Sequence, residues 1–340
     1  MAVPIDIKML IVGSDYIYRK GIKDMLNILE FKNIEEAADG PNAWAILNRV
    51  KSDIVISQWD MPEMSGISFL KLIRRDTEFS DTPVILRASQ ITKLDVIKAG
   101  EAGASAILVD PVTIEKLEDK INYILEFEMS PSTKQAKTYM AMGDQYMHED
   151  RFDDALREYK KILNILESAE VYYNIGYIKT AQGEYDEALA AFRKATQINQ
   201  MFAKAYTAMA AVFLKMDDKK QAEAYLQKAG EIYMEREMHE NAENIFNEIL
   251  KINPDTINVY NSLGILYRKQ NRYKDALVQY QKAAKITPDD ENIHFNMGRV
   301  YLELNNPDMA KNCFKKALMI NPRLDMARGM LSAIESGSNQ

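Results

Sequence analysis

The sequence has 340 residues, which is long enough for two domains, each with its own hydrophobic core. Hydrophobic residues make up 47% and charged residues 27%, a balance that is typical of a folded globular chain and excludes an intrinsically disordered one. The formal net charge is −7, and no dense basic patch is present. A duplex-binding surface is therefore not expected, and nucleic acid is not among the predicted partners.

The N-terminus and the cysteine content bear on where the protein works. The first residues, MAVPIDIKMLIV, have no basic stretch before the apolar run and no small-residue cleavage site, so no signal peptide is predicted. No run of 18 apolar residues exists, so no membrane-spanning helix is predicted. Cys313 is the only cysteine and cannot form an internal disulfide. These features together predict a cytoplasmic protein.

Residues 1–128 alternate short apolar runs with helical patterns. Strands are predicted, in chain order, at 7–12, 33–38, 53–57, 83–88 and 105–110. Helices are predicted between and after them, at 16–30, 41–51, 66–76, 92–102 and 113–128. This alternation predicts a doubly wound, flavodoxin-like α/β domain. Its five-stranded parallel sheet would have the order 2-1-3-4-5, with a binding site at the carboxyl ends of the strands.

After residue 128 the pattern changes. Residues 129–136 are polar and are predicted to be a linker, and from 137 to 335 only helical spacing remains. Small residues recur at steps of 33, 34, 20, 34 and 34, and they are Gly143, Gly176, Ala210, Gly230, Gly264 and Gly298. An alanine follows twelve residues after each of them, and a bulky apolar residue follows sixteen after. Three units also place a proline 24 residues on, where it would end the second helix.

This spacing resembles the tetratricopeptide repeat family over about 200 residues. A helix pair of this kind cannot bury its apolar face alone, so about five to six pairs would stack into a solenoid. The aromatic residues are expected to fill the space between one pair and the next. The step of 20 predicts one shared or elongated helix near 218–236, and residues 323–334 would cap the stack.

The first domain resembles the receiver domain of bacterial response regulators along its whole length. The segments that carry the resemblance are KMLIVGSD (8–15), EEAADGPNAW (35–44), IVISQWDMPEMSG (54–66), TPVILRAS (82–89) and EAGASAILVDP (101–111). In that family two acids bind Mg²⁺ beside an acceptor aspartate, a Ser or Thr binds a phosphoryl oxygen, and a Lys neutralises charge. The resemblance therefore implies a phosphorylation switch of a two-component phosphorelay.

All five side chains that this chemistry needs are replaced. The positions concerned are Gly13 and Ser14 for the acid pair, Gln58 for the acceptor, Ala88 for the hydroxyl and Asp110 for the lysine. An amide cannot form an acyl phosphate, and a carboxylate at position 110 would repel a phosphoryl group. The sequence thus predicts a pseudo-receiver that keeps the fold without the reaction. The family's Lys-Pro position also predicts a cis bond at Asp110-Pro111.

Two alternatives stay open for this domain. Asp15, Asp60, Glu63 and Asp110 are expected near the strand ends and would make a substitute site, with Asp60 as the acceptor of a working phosphorelay regulator. The altered pocket would otherwise serve as a small-molecule or metal sensor. No nucleophile with its base, no phosphate-binding loop and no zinc spacing is present, so no enzyme activity, cofactor or metal is predicted.

The repeats are expected to bind a protein or peptide partner on the concave face that the first helices form. Counting from each small residue, the candidate partner-binding residues are Asn174, Tyr177, Lys204, Asn261, Arg268, Phe295, Asn296 and Arg299. Asn174 and Lys204 match two places of a carboxylate clamp found in some family members, whereas Met140 and Asp144 do not fit it. The receiver adds a docking or homodimer surface within 92–128, which the family often uses. The leading hypothesis is a non-catalytic adaptor or scaffold of a bacterial two-component-type pathway.

Overall fold

The computed structural model describes residues 6–337 of the chain. They form two compact units. The first runs to Glu149 and includes Lys160–Leu166, and the second comprises Asp150–Tyr159 and the residues from Glu167 onward. The first unit contains a parallel sheet of five strands, which are β1 (Lys8–Val12), β2 (Asn33–Ala37), β3 (Ile54–Gln58), β4 (Val84–Ala88) and β5 (Ala106–Val109). The sheet order is β2-β1-β3-β4-β5, as the sequence predicted.

Five helices cover the two faces of this sheet. They are α1 (Tyr16–Ile28), α2 (Gly40–Val50), α3 (Gly66–Arg75), α4 (Lys93–Glu101) and α5 (Ile114–Tyr123). Alternate strand residues point to opposite faces. Met9 and Ile11 accordingly join the core under α1 and α5, whereas Leu10 and Val12 join the core under α2, α3 and α4. Burial on both faces explains why the strands read as continuous apolar runs.

The end of the first domain differs from the predicted boundary. A π-helix, Ile124–Glu128, directly follows α5, and α6 (Pro131–His148) begins after Ser130, whose side chain accepts a hydrogen bond from the Thr133 amide. The predicted linker over 129–136 is therefore helical from Pro131. The Lys137 ammonium lies 2.7 Å from an Asp81 carboxylate oxygen, so α6 contacts the receiver part of its own unit. The polarity of the sequence did not reveal this helix, because a polar first turn of a helix and a polar linker have the same composition.

The rest of the described chain is helical. The helices are α7 (Phe152–Leu163), α8 (Ala169–Ala181), α9 (Tyr185–Ile198), α10 (Ala203–Lys215), α11 (Lys219–Glu235), α12 (His239–Ile252), α13 (Ile257–Lys269), α14 (Tyr273–Ile286), α15 (Glu291–Glu303), α16 (Pro307–Ile320) and α17 (Asp325–Gly337). Helix α11 packs against both α10 and α12. The prediction of one helix shared by two repeat units is thus confirmed. Within residues 6–337, no helix is both long and apolar enough to cross a membrane.

The recurrent small residues of the repeats contact the aromatic residues of their own units. A Cβ atom added at Gly230 would lie 2.5 Å from Phe246 Cε1, and one added at Gly264 would lie 2.4 Å from Tyr280 Cε1. Gly176 and Gly298 have the same relation to the residues sixteen positions later. The ring therefore occupies the space that a side chain at the glycine would need. The aromatic residue of α7 also contacts the following pair, because the Tyr159 hydroxyl accepts a hydrogen bond from Asn174 of α8 at 3.2 Å.

Candidate functional site

The carboxyl ends of the receiver strands bring four of the five altered positions to one edge of the sheet. Gln58 ends β3, Ala88 ends β4, Gly13 follows β1, and Asp110 follows β5. Gln58 pairs with Arg87 in the sheet register, and the Asp110 amide donates to the Ala88 carbonyl oxygen at 3.2 Å. The fifth position, Ser14, is exposed on the loop after Gly13. These positions therefore lie at the carboxyl ends of the strands, the edge at which the sequence placed the site.

The aromatic ring of Tyr18 occupies the space beside Gly13. A Cβ atom at Gly13 would lie 2.5 Å from two carbons of this ring and 2.9 Å from Gln58 Oε1. The Tyr18 hydroxyl and Gln58 Oε1 are both buried and have no hydrogen-bond partner in the described residues. Burial also raises the pKa of Tyr18 above its usual range. A longer side chain at position 13 and the Tyr18 ring cannot therefore occupy this space together.

Arg87 supplies a cation that the sequence analysis did not identify. Its Nε donates to Asp110 Oδ1 at 2.8 Å, and its Nη2 donates to Asp110 Oδ2, so the ion pair is bidentate. The same guanidinium lies 5.0 Å from the centre of the Tyr18 ring. A guanidinium that donates to both oxygens of a carboxylate fixes the orientation of both side chains. Asp110, which stands at the family's lysine position, is thus neutralised from the neighbouring strand.

Removal of this carboxylate gives a testable stability change. Asp110→Ala leaves a guanidinium whose side chain is only 21% exposed without its partner, and we expect the free energy of unfolding of the receiver to fall by about 1–3 kcal/mol. Urea unfolding followed by tryptophan fluorescence measures the change. Asp81→Ala is the control, because the Asp81 side chain is 72% exposed in its pair with Lys137. Its expected effect is within about 0.5 kcal/mol, and equal losses in the two variants would contradict a structural role for the Arg87–Asp110 pair.

The acids considered for a substitute site have separate positions. The Asp15 side chain caps α1 by accepting a hydrogen bond from the Ile17 amide at 2.8 Å. Asp60 and Glu63 are exposed on the loop after β3, and Asp110 binds Arg87. In the described residues, no group of three or more His, Cys, Asp or Glu side chains is placed to hold a metal ion. The Asp110-Pro111 bond is cis, as predicted.

A groove of the second unit lies between α8, α10 and α12. Its volume is about 590 Å³, and Tyr173, Tyr177, Tyr233, Lys204 and Lys215 are among its lining residues. Two of the predicted partner-binding residues, Tyr177 and Lys204, line it, and Tyr177 is 52% exposed. No carboxylate is among the lining residues. The groove therefore combines aromatic surface with positive charge.

The other predicted partner-binding residues lie in mixed environments. Asn174 Nδ2 donates to the Tyr159 hydroxyl at 3.2 Å, and Asn296 Nδ2 donates to Asn261 Oδ1 at 3.0 Å. Phe295 was expected on the groove surface, but it is 7% exposed and packs against Phe314 with ring centres 5.7 Å apart. Its position in the repeat places it in the core, so it is not retained as a binding residue. Arg268 and Arg299 are half-buried on α13 and α15.

The receiver segment predicted for docking exposes apolar side chains. Val96 in α4 is 48% exposed, Tyr123 at the end of α5 is 49% exposed, and Phe127 in the π-helix is 58% exposed. The rings of Tyr123 and Phe127 contact each other with centres 5.3 Å apart. Large apolar side chains that cluster on a surface are typical of contact sites with other proteins.

Comparison with protein-family models gives two kinds of match. Residues 9–122 match the response regulator receiver domain. Residues 176–217 and 264–305 match a TPR repeat model, and 228–256 and 292–324 match two tetratricopeptide repeat models. The receiver match ends before α6, and the repeat matches begin after α7. The repeat assignment therefore rests on the helices from α8 onward.

Curated relatives match the first domain. Chemotaxis protein CheY-3 of Vibrio cholerae is 36% identical over 121 residues, which cover 36% of this chain and 93% of the relative. Chemotaxis protein CheY of Pseudomonas aeruginosa is 34% identical over 119 residues, which cover 35% of this chain and 96% of the relative. Among solved structures, YrrB, described as a TPR protein with an unusual peptide-binding site, aligns at 20% identity and a TM-score of 0.27 over 62% of this chain and 95% of its own. The chain belongs to the response regulator receiver family through residues 9–122, and it carries tetratricopeptide repeats in its C-terminal part.

Proposed function

We propose that the protein is a non-catalytic signalling adaptor, in which a phosphorylation-incompetent receiver docks a partner or a second copy and the repeats bind a protein. The observation that supports this most directly is the content of the phosphorylation site. Gln58 stands at the acceptor position, and the Tyr18 ring fills the space beside Gly13. An amide is not a carboxylate nucleophile, and Gly13 and Ser14 offer no carboxylate to Mg²⁺.

The electrostatics of the site favour the same proposal. Phosphoryl transfer needs positive charge that is free to stabilise the phosphoryl oxygens. The Arg87 guanidinium is already engaged by both oxygens of Asp110, so the pair carries no net charge. The Arg87–Asp110 ion pair links β4 to the residue that follows β5. A receiver of this kind contributes surfaces, among them the exposed Tyr123 and Phe127, rather than a reaction.

The repeats supply the second half of the adaptor. The groove between α8, α10 and α12 presents several tyrosines, and aromatic residues are enriched at contacts between proteins. We place the adaptor in the bacterial cytoplasm, because its single thiol has no internal partner for a disulfide. Burial raises the pKa of Cys313 to about 11, which keeps this thiol protonated and unreactive at neutral pH.

Intact-mass spectrometry after incubation with Mg²⁺ and acetyl phosphate tests the receiver half. We expect no phosphoadduct on the parent protein. We also expect none on Gln58→Asp, since that variant restores the acceptor without the acid pair and leaves the Tyr18 ring in place. A stoichiometric, Mg²⁺-dependent adduct on the parent that maps to Asp60 or another receiver acid would overturn the proposal and indicate a working regulator.

A further inference from the structure

Helix α4 and strand β5 of the receiver bury few of their side chains. Within residues 93–109, all of which the structure describes, Ala99 is the only buried residue of α4 and Leu108 is the only buried residue of β5. In α3, by contrast, Phe69 and Leu70 are among the buried residues. Strand β5 also forms one edge of the sheet, next to β4. Because apolar burial holds these two elements weakly, polar contacts at their ends carry more of the work of fixing their position.

Arg87 holds the carboxyl end of β5. Its side chain points to the same face of β4 as Ile85, toward the core under α1 and α5. On that face its guanidinium lies 5.0 Å from the centre of the Tyr18 ring and donates to both carboxylate oxygens of Asp110, which directly follows β5. The Asp110 amide also donates to the Ala88 carbonyl oxygen at the end of β4. The end of β5 is thus bonded to β4 through its backbone and through a charge-assisted pair.

Arg74 of α3 holds the other end of β5. Its Nε and Nη2 donate to the Gly103 carbonyl oxygen, at 3.1 Å and 2.7 Å, in the loop between α4 and β5. Its Nη1 donates to the carbonyl oxygens of Ser80 and Thr82, at 2.9 Å and 2.8 Å, in the segment before β4. A charged donor makes stronger hydrogen bonds than a neutral one. One guanidinium therefore joins α3, the segment that precedes β4 and the loop that leads into β5.

We propose that Arg74 and Arg87 together hold the α4–β5 segment, residues 93–110, in one conformation, so that the docking surface within 92–128 is permanently formed. The inference rests on the proposed function, in which this receiver acts through its surfaces, and it states how those surfaces are regulated. A hydroxyl at the end of β4 and a lysine after β5 would both bind the phosphoryl group of a working receiver. In this chain Arg87 and Asp110 join the same two strand ends directly. No phosphoryl group is then needed to set the position of β5 and of the neighbouring α4.

Relaxation dispersion of backbone amides in the full chain tests this proposal, because it detects conformational exchange on the microsecond-to-millisecond timescale. We expect flat profiles for residues 93–110 in the parent protein. Asp110→Asn keeps the size of the side chain but removes the charge that pairs with Arg87. In this variant we expect exchange within 93–110, from a minor state whose population rises about tenfold or more, to about 1% or higher. Exchange of equal size in the parent, or flat profiles in the variant, would overturn the proposal.

Glu35→Gln is the matched control for this measurement. It also converts an acid that pairs with an arginine into its amide, since Glu35 lies 3.6 Å from the Arg49 guanidinium. Glu35, however, is in β2 at the opposite edge of the sheet, and its side chain is 42% exposed. We expect its profiles for residues 93–110 to match those of the parent. Exchange there as large as in Asp110→Asn would overturn a specific role of the Arg87–Asp110 pair.

Arg87→Lys and Arg74→Lys test the two ends of β5 separately, and they decide the proposal if Asp110→Asn does not fold. An ammonium retains the charge but lacks the planar fork that bonds several acceptors at once. We expect Arg87→Lys to show the exchange of Asp110→Asn with a smaller minor population, and Arg74→Lys to show exchange that includes Gly103. Flat profiles in both variants, or exchange spread equally over β1 and β3, would overturn the proposal. The adaptor proposal would then still stand, since it depends on the absence of a phosphoadduct on the receiver.

Discussion

Replacing Phe246 by alanine is expected to lower the free energy of unfolding of the repeat region by about 3–5 kcal/mol. Phe246 is fully buried in α12, and its ring lies directly against Gly230 of the shared helix α11. Truncation leaves a cavity that a glycine on the opposite helix cannot fill. Stability in a repeat array depends on contacts between neighbours, so a defect at the helix shared by two units weakens both of them.

Two spectroscopic signals separate this effect from any change in the receiver. Both tryptophans, Trp44 and Trp59, lie in the receiver, whereas far-UV circular dichroism is dominated by the helices of the repeats. Urea unfolding of Phe246→Ala should therefore shift the dichroism midpoint strongly and the fluorescence midpoint little. Met319→Ala, at a position that is 83% exposed, is the control and should change the unfolding free energy by less than about 0.5 kcal/mol.

The third unit suggests a compensating change for the same contact. It carries Ala210 and Leu226 at the two positions that Gly230 and Phe246 occupy, so a Cβ is accommodated where the opposing side chain is smaller. We expect Gly230→Ala/Phe246→Leu to cost at least about 1 kcal/mol less than the sum of the two single changes. Additive losses would show that the glycine and the ring do not compete for one space.

The order of the receiver strands could be predicted because the alternation of five strands with helices indicates a doubly wound sheet, and the shared helix α11 could be predicted from the spacing of the small residues. The short apolar runs located each strand to within one or two residues, and a step of 20 between small residues left no room for a second helix. The start of α6 could not be predicted in this way. A polar segment has the composition both of a linker and of an exposed first helical turn. The Lys137–Asp81 contact joins residues that are far apart in the chain.

The sequence predicted which family residues are replaced at the candidate site. It did not predict which side chains contact one another there. The replaced positions were visible because each family residue has a fixed place at a strand end. Arg87 was missed, although a charged residue inside an otherwise apolar strand requires a partner, and Asp110 at the next strand end was an available one. Tyr18 was missed because the direction of its ring depends on Gly13 and Gln58, which contact it only in the folded chain.

In the repeats, sequence position alone did not separate surface residues from core residues. Phe295 and Asn296 are neighbours counted from the same glycine, yet Phe295 packs against Phe314 and Asn296 bonds to Asn261. Counting from the small residue identifies the correct helix turn, and packing then decides which side chains a partner can reach.

Introducing the family's acid at position 13 is expected to destabilise the receiver by about 2–5 kcal/mol. In Gly13→Asp the new Cβ would lie 2.5 Å from the Tyr18 ring, and the carboxylate would face Gln58 Oε1, which is itself an acceptor. Steric overpacking and the unpaired charge therefore both lower the stability of the receiver. Gly21→Asp is the matched control, because nothing lies within 4 Å of the Cβ position at Gly21 in α1. Its unfolding midpoint, followed by tryptophan fluorescence, should stay near that of the parent.

The Tyr18 ring is what makes the acid at position 13 costly, and a double variant isolates that cause. Tyr18→Ala removes the ring and by itself creates a cavity, so it too is expected to destabilise the receiver. In Gly13→Asp/Tyr18→Ala the carboxylate gains the vacated space and access to water, and the combined loss should be smaller than the sum by more than about 1 kcal/mol. Simple additivity would mean that the ring and the acid do not exclude each other. A favourable coupling would mean that this receiver cannot regain a magnesium-binding carboxylate at position 13 while Tyr18 keeps its place in the core.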